Sequence, residues 1–346
     1  MHDSPPQPSA EAPEPAAYAR LSVVMPAYNE GAWVRRALDA LEVSSRLAEW
    51  PVEVVVVDDG SSDPASLAVL DEVSQREYVR VISQANAGRF AARRVGLEAA
   101  EGDLVLLLDA RVEVDPASLG RLRAAVARGE VVWNYDVTPA SRELGALFWT
   151  GVTKVWWRDY FRHRKPVQFG LEDFDRYPKG TGAFLAPRQL LLAASGQFSS
   201  HFEDQTLASD DTRLLREVAA AQPIRLSPEV MCRHHAKSGR HAFTRQCYFR
   251  GTTFVDGYLS NASSARGLLA AAGLASGAGV VSLVLAPRAT TTLAAAGCVA
   301  AGALTRWSGG TSREAVSVGL LTPVFGATFG AGVIRGLRMA SARPRG

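Results

Sequence analysis

Val54-Val-Val-Val-Asp58-Asp59-Gly60-Ser61-Ser62-Asp63 is the stretch that decides the fold. Four β-branched residues in an unbroken apolar run suit a strand covered on both faces, as in a parallel sheet. The carboxylates and the Gly–Ser turn that follow end the strand and place acceptors at its carboxyl end. Working outward, similar apolar runs occupy 21–25, 52–57, 79–83 and 103–108. Between them, 32–47, 66–75 and 89–100 have helical spacing, with Trp33, Ala37, Leu41 and Leu47 predicted to share one face of the first helix. Strand alternating with helix predicts right-handed crossovers and an α/β domain over 21–257. Turn chemistry follows the strands at 26–31, 58–63 and 109–115, so three polar loops are expected to meet at one rim. In open α/β sheets that rim is where ligands bind.

The rest of the chain bounds the function. Its 346 residues carry 38 basic and 35 acidic side chains, a net charge of +3, which offers no electrostatic reason to expect a nucleic-acid partner. Cys232, Cys247 and Cys298 are too few and too scattered for a disulfide framework or a zinc site, and they fit a reducing compartment. Residues 1–20 are rich in Pro, Ala and acidic residues, without the basic start and apolar core of a signal peptide. They are expected to be a disordered tail, and export is not expected.

Past residue 257 the composition turns to Ala, Gly, Val and Leu, and 267–287, 289–305 and 315–334 hold no charge. These lengths approach a bilayer span, and Gly273/Gly277 and Gly326/Gly330 form small-xxx-small patterns. Residues 258–346 are therefore expected to be membrane-associated helices, with an Ala-rich soluble cap as the alternative. Three full spans would put Arg335, Arg338, Arg343 and Arg345 outside, against the positive-inside tendency; two spans and an interfacial segment keep them inside. Trp149, Trp156 and Trp157 lie in a basic stretch, which suits a membrane interface, a stacked sugar or a buried helix face.

Two further motifs carry candidate chemistry. In Leu108-Asp-Ala-Arg111 a carboxylate ends a strand, where it can hold a divalent cation or simply form a solvated turn. In Ser209-Asp-Asp-Thr-Arg213 two acids open a helix, either as a cap or as a general-base pair. Together with Met25-Pro-Ala-Tyr-Asn-Glu30, Val57-Asp-Asp-Gly-Ser61 and Asn86-Ala-Gly-Arg89, these motifs, in this order, resemble the inverting family-two glycosyltransferases of the GT-A fold over about 21–255.

The resemblance implies a Rossmann-like mixed α/β sheet flanked by helices, followed by the C-terminal apolar helices. Pro26, Tyr28 and Glu30 would line the nucleotide pocket, Asp59 would accept a hydrogen bond from the base, commonly uracil, and Asp58 would shape the turn. Arg89 and Arg93 would reach the nucleotide side, and Arg250 would face the diphosphate. Asp109 matches the first position of the Asp-x-Asp metal motif, but Arg111 stands at the third, and a guanidinium has no lone pair for a metal. Either Asp109 holds Mn2+ or Mg2+ with help from Glu113, His234 or His235, or Arg111 itself offsets diphosphate charge.

Asp211 matches the catalytic base, with Asp210 secondary. Gly180-Thr181-Gly182 resembles the loop below the acceptor. The implied reaction moves a sugar from a nucleoside-diphosphate sugar, by default a UDP-sugar, to a lipid-linked or glycan acceptor at the cytoplasmic membrane, from the cytosolic side. A polyprenyl phosphate is the alternative acceptor, and a catalytically inactive sugar-nucleotide binder is the alternative protein. A nicotinamide oxidoreductase is disfavoured because no Gly-x-Gly-x-x-Gly follows the first strand.

Overall fold

The computed structural model describes residues 20–196, 210–237, 239–258 and 287–342. The expected strands form as β1 (Leu21–Ala27), β2 (Val52–Asp58), β3 (Val79–Ser83) and β4 (Leu104–Leu108), paired in parallel in the order β3-β2-β1-β4. Val23, Val24, Val54, Val56 and all of β4 are buried, which is why these strands read as apolar runs. The crossovers are α1 (Ala32–Ala48), α2 (Pro64–Ser74) and α3 (Arg89–Ala99). Proline opens α2, and the Asp63 carboxylate caps it by accepting from Ser66 N at 3.0 Å. Because Ala27 pairs with Asp58, the carboxyl ends of β1 and β2 finish level.

Beyond β4 the sheet turns mixed, in keeping with the expected fold class. Antiparallel β8 (Ala183–Pro187) follows β4, then β6 (Trp133–Pro139), β9 (Ile224–His234) and β5 (Val112–Val114), while β7 (Val167–Phe169) pairs with β9. Around this half lie α4 (Ser118–Val126), α5 (Leu144–Trp156), α6 (Arg158–Arg162), α7 (Arg188–Gly196), α8 (Asp210–Ala221) and α9 (Arg240–Tyr258).

Two expectations need correcting. The buried stripe of α1 is Val34, Ala37, Leu38, Leu41, Ser44 and Ala48, whereas Leu47 is 68% exposed. Six residues past Leu41 is about 240° around a 3.6-residue helix, so Leu47 cannot share that face. The C-terminal helices α10 (Pro287–Trp307) and α11 (Ser312–Ala342) do not use Gly326 or Gly330 for packing: a Cβ at either would meet nothing within 4 Å. Close approach falls instead at Gly332 and Gly336, where added Cβ atoms would strike Tyr248 and Thr252 of α9. Gly273 and Gly277, with nearly all of the first expected span, lie outside the described residues, as does the expected tail up to residue 19.

Helix α11 lies along α5 and α9. Its first two turns are fixed by the Glu314–Lys154 ion pair at 2.8 Å and by Ser317, which donates to Leu144 O. Phe325 packs on Phe148, and Arg335 sits over the Tyr248 ring. Among the described residues one helix is long and apolar enough to cross a membrane, Ser312–Ala340, with mean hydropathy 1.6. Helix α10, on the second expected span, falls short of that test.

Candidate active site

The carboxyl rim of β1 and β2 is built by backbone geometry. Gly60 has φ +77°, and a Cβ there would sit 2.8 Å from Asn86 N, so glycine is required. Asp58 accepts from Ser61 N at 2.9 Å and shapes the turn, as expected. Asn29, itself at φ +51°, accepts from Ser62 N and Asp63 N, tying the loop after β1 to the loop after β2. Pro26, next to last in β1, pairs with Val57, and Tyr28 stands 46% exposed on the rim.

Asp59 is tied to the loop ahead of α3. Its Oδ1 accepts from Gln84 Nε2 at 2.8 Å and Ala87 N at 2.9 Å, and its Oδ2 accepts from Gly88 N at 2.9 Å. At 4% exposure, both oxygens are committed to holding the 84–88 loop ahead of α3. The bond to a base assigned to it by resemblance would have to compete with three internal ones.

At the end of β4, Asp109 N donates to Gly182 O at 2.9 Å, and a Cβ on Gly182 would lie 3.2 Å from Asp109 Oδ2. The Gly180–Thr181–Gly182 loop therefore rests against the Asp109 carboxylate, with Gly180 N donating to Asn134 Oδ1. Asp109 Oδ1 accepts from Arg93 Nη2 at 2.9 Å, and Arg93 is 3% exposed. Arg111 Nε donates to Glu30 Oε2 at 2.5 Å, while Lys237 Nζ lies 3.2 Å from Glu30 Oε1. The Arg111 guanidinium is 5.1 Å from the centre of the Trp33 ring.

His235 is not beside Asp109. Its ring packs 4.6 Å from Trp33, and Nε2 lies 3.1 Å from Glu113 Oε1. Burial pushes the Glu113 carboxyl up, but His235 and Arg36 outweigh it and hold it below the ordinary range. The neighbouring His234 is the histidine that senses Asp109: burial lowers its pKa, Asp109 raises it, and Arg250 and Arg111 lower it. Among the described residues, no three His, Cys, Asp or Glu side chains stand together to hold a metal ion. With Asp109 already bonded to Arg93 and Arg111 in the third position, these residues do not fit a divalent cation.

A cleft of about 570 Å³ opens beside this rim, between α5, α9, α11 and the Lys179–Gly180 turn. Trp149, Trp156, Phe249, Phe325 and Phe329 give it aromatic walls, while Arg89, Lys179 and Arg250 supply charge. Arg250 stacks 4.2 Å from the centre of the Trp149 ring. Burial pushes the Lys179 ammonium down to about 8. Asp210 and Asp211 open α8 as expected, and the next residue, Thr212, lines the cleft; the side chains of both acids lie outside the described residues. A smaller cavity of about 200 Å³, lined by Tyr160, His163 and Tyr177, contains none of these groups.

The rim thus gathers Glu30, Arg93, Asp109 and Arg111, and the cleft adds Arg89, Gly180, Arg250 and the start of α8. Sequence reasoning missed Trp33, Lys179, Lys237 and the phenylalanines of α11 as site residues. Lys237 had one signal, its place two residues after His235, in the chain that runs on from β9; the α11 residues had none, because only folding brings them to α5.

A parallel βαβ half whose carboxyl rim faces a glycine loop on an antiparallel strand is the architecture of the GT-A glycosyltransferases. Residues 22–183 match the model for Glycosyl transferase family 2. The solved mannosyltransferase PcManGT from Pyrobaculum calidifontis, in complex with GDP-Man and Mn2+, has the same fold, with a TM-score of 0.57 at 17% identity over 96% of this chain and 90% of that one. An undecaprenyl-phosphate 4-deoxy-4-formamido-L-arabinose transferase from Pseudomonas paraeruginosa is 37% identical over 126 residues, 36% of this chain and 35% of the relative. The enzyme of the same name from Proteus mirabilis is 35% identical over 126 residues, 36% of this chain and 37% of the relative. The chain thus spans about a third of the length of the curated relatives it matches.

Proposed function

We propose that the protein is an inverting glycosyltransferase that moves a sugar from a nucleoside-diphosphate sugar, by default a UDP-sugar, to a polyprenyl phosphate in the cytoplasmic membrane, working from the cytosolic side. The observation that carries the acceptor is the cleft. It shares Phe325 and Phe329 with α11, the helix apolar enough for a membrane, and with Arg250 and Lys179 it reaches Gly180, two residues before the Gly182 that lies against Asp109. Aromatic walls suit an isoprenoid chain, and cations at the inner end suit its phosphate. The two arabinose transferases named above act, by their names, on undecaprenyl phosphate, which supports the same acceptor.

In this reading the donor lies over the rim, with Pro26, Tyr28 and Glu30 around the nucleotide and its diphosphate toward Arg111. A phosphate oxygen of the acceptor attacks the anomeric carbon as the bond to the nucleoside diphosphate breaks on the opposite face. Asp211 is the base and Asp210 supports it. A phosphate monoester has a second pKa near 6, so it arrives with a proton to lose only in mildly acid solution. The buried Arg93 fixes the position of the Asp109 carboxylate before substrate arrives.

The test is transfer of radiolabelled sugar from UDP-sugars and GDP-mannose to vesicles containing undecaprenyl phosphate. Lipid-extractable label is expected from one donor. Asp211→Asn is expected to lower the rate about 100-fold or more near pH 5.5, as for loss of a general base, and much less near pH 8. An equal loss at both pH values would remove the base assignment, and label appearing only in water-soluble glycan would remove the lipid acceptor.

A further inference from the structure

We infer that this site binds the donor's diphosphate without a divalent cation, Arg111 and Lys237 supplying the positive charge a metal would otherwise bring. The inference deepens the nucleotide-sugar reading and rests on it. Three observations on the rim carry it.

The first is the identity and setting of the residue two beyond Asp109. Arg111 is held in place by Glu30 on one side and the Trp33 ring on the other. A guanidinium so oriented presents a planar pair of donors, the geometry that recognises phosphate oxygens. The second is Asp109 itself, whose Oδ1 is already bonded to the buried Arg93. A carboxylate balanced by a guanidinium is a poor metal ligand, because the cation would have to displace one positive charge to add two.

The third is the local charge. Arg111 and Lys237 both stand on the one Glu30 carboxylate, so on this side of the rim two cations face a single anion. A divalent ion among these residues would meet repulsion, whereas a diphosphate would meet attraction. Glu30 grips Arg111 through one oxygen and Lys237 through the other, so a single small anion already sits between the two cations. A diphosphate carries more charge than this carboxylate and can draw both cations onto its own oxygens. Lys237 is 62% exposed and lies where a ligand approaching from solvent would meet it.

Calorimetric titration of the full chain in detergent with UDP and with GDP, once in excess EDTA and once in Mn2+, decides the matter. The expected result is that one nucleotide binds with the same affinity in both, within about threefold, and that Arg111→Ala and Lys237→Ala each weaken binding in EDTA by about tenfold, the loss of one charge-assisted contact. Arg111→Asp, which restores the Asp-x-Asp pattern, is expected to abolish binding in EDTA and to recover part of it with Mn2+. That pattern is one a merely structural role for Arg111 would not produce. Wild-type binding seen only with Mn2+ overturns the inference and leaves the nucleotide-sugar reading standing. Unchanged affinity in both alanine variants also overturns it. No binding of either nucleotide under either condition overturns both readings together.

Discussion

Lys179 reaches the cleft from the Gly180 turn with only 8% of its side chain exposed, donating to Tyr177 O and lying 4.1 Å from the centre of the Phe174 ring. Burial lowers its pKa from 10.5 to about 8. The folded protein therefore releases this proton near pH 8, while the unfolded chain holds it to 10.5. Between those values the unfolded state binds more protons, and stability rises with pH. Urea midpoints measured near pH 7.5 and pH 9.5 are expected to show that rise, and Lys179→Met to flatten it; an identical slope in the variant would contradict the burial. The same titration removes a cation from the cleft, so lipid-phosphate binding should weaken above pH 8. Asp59 gives a second expectation at this scale. Asp59→Ala strands the Gln84 side chain and the Ala87 and Gly88 N–H groups, costing about 1–3 kcal/mol, and a chemical melt would reveal it. An unchanged midpoint would return Asp59 to a purely ligand-binding role.

The elements differ in how openly the sequence declares them. Strands β1, β2 and β4 are covered on both faces and carry β-branched and aliphatic runs, so they could be read directly. Strand β6 is buried as well, but its Trp133-Asn-Tyr-Asp136 core is half polar, with Asp136 accepting from Tyr160, and no apolar run marks it. Strand β9 alternates, and its partners are chosen by the fold. The rim was legible because strand ends followed by Asp, Asn and Gly announce it, and Glu30, Asp109, Arg111 and Gly182 do converge there. The partners of those residues were not legible: Asp59 accepts from its own 84–88 loop, and His235 lies against Glu113 and Trp33. Helix contacts were misplaced for a similar reason, since Gly326/Gly330 and Gly332/Gly336 share one spacing and only the neighbouring helix distinguishes them. Gly336→Leu would put a Cβ 2.7 Å from Thr252 O and is expected to destabilise by about 1–3 kcal/mol or more. Gly326→Ala has open space around it and is expected to stabilise by roughly 0.5–1 kcal/mol through helix propensity. Equal effects at both positions would contradict the α9–α11 crossing.

For the whole molecule, α11 joins the helices α5 and α9 to an apolar exterior. One side packs on α5 and α9, while Val316, Leu320, Val324, Ile334 and Leu337 remain exposed. Leu293, Val299 and Trp307 add exposed apolar surface on α10. A helix held along its length by α5 and α9 and apolar on its far side suits a membrane surface as well as a span. Replacing Leu320 and Val324 by Asp together is expected to release the protein from vesicles in a flotation assay while leaving nucleotide binding intact; unchanged flotation would move the membrane contact elsewhere.

The measurement that bears most directly on the central claim is a structure of the protein with an intact nucleotide sugar bound. The expected result places the nucleotide beside Tyr28 and Glu30, the diphosphate against Arg111, and the anomeric carbon between Asp109 and the first turn of α8, facing the cleft. A donor lodged away from the rim, or an α8 whose first turn faces another surface than Asp109, would contradict the account.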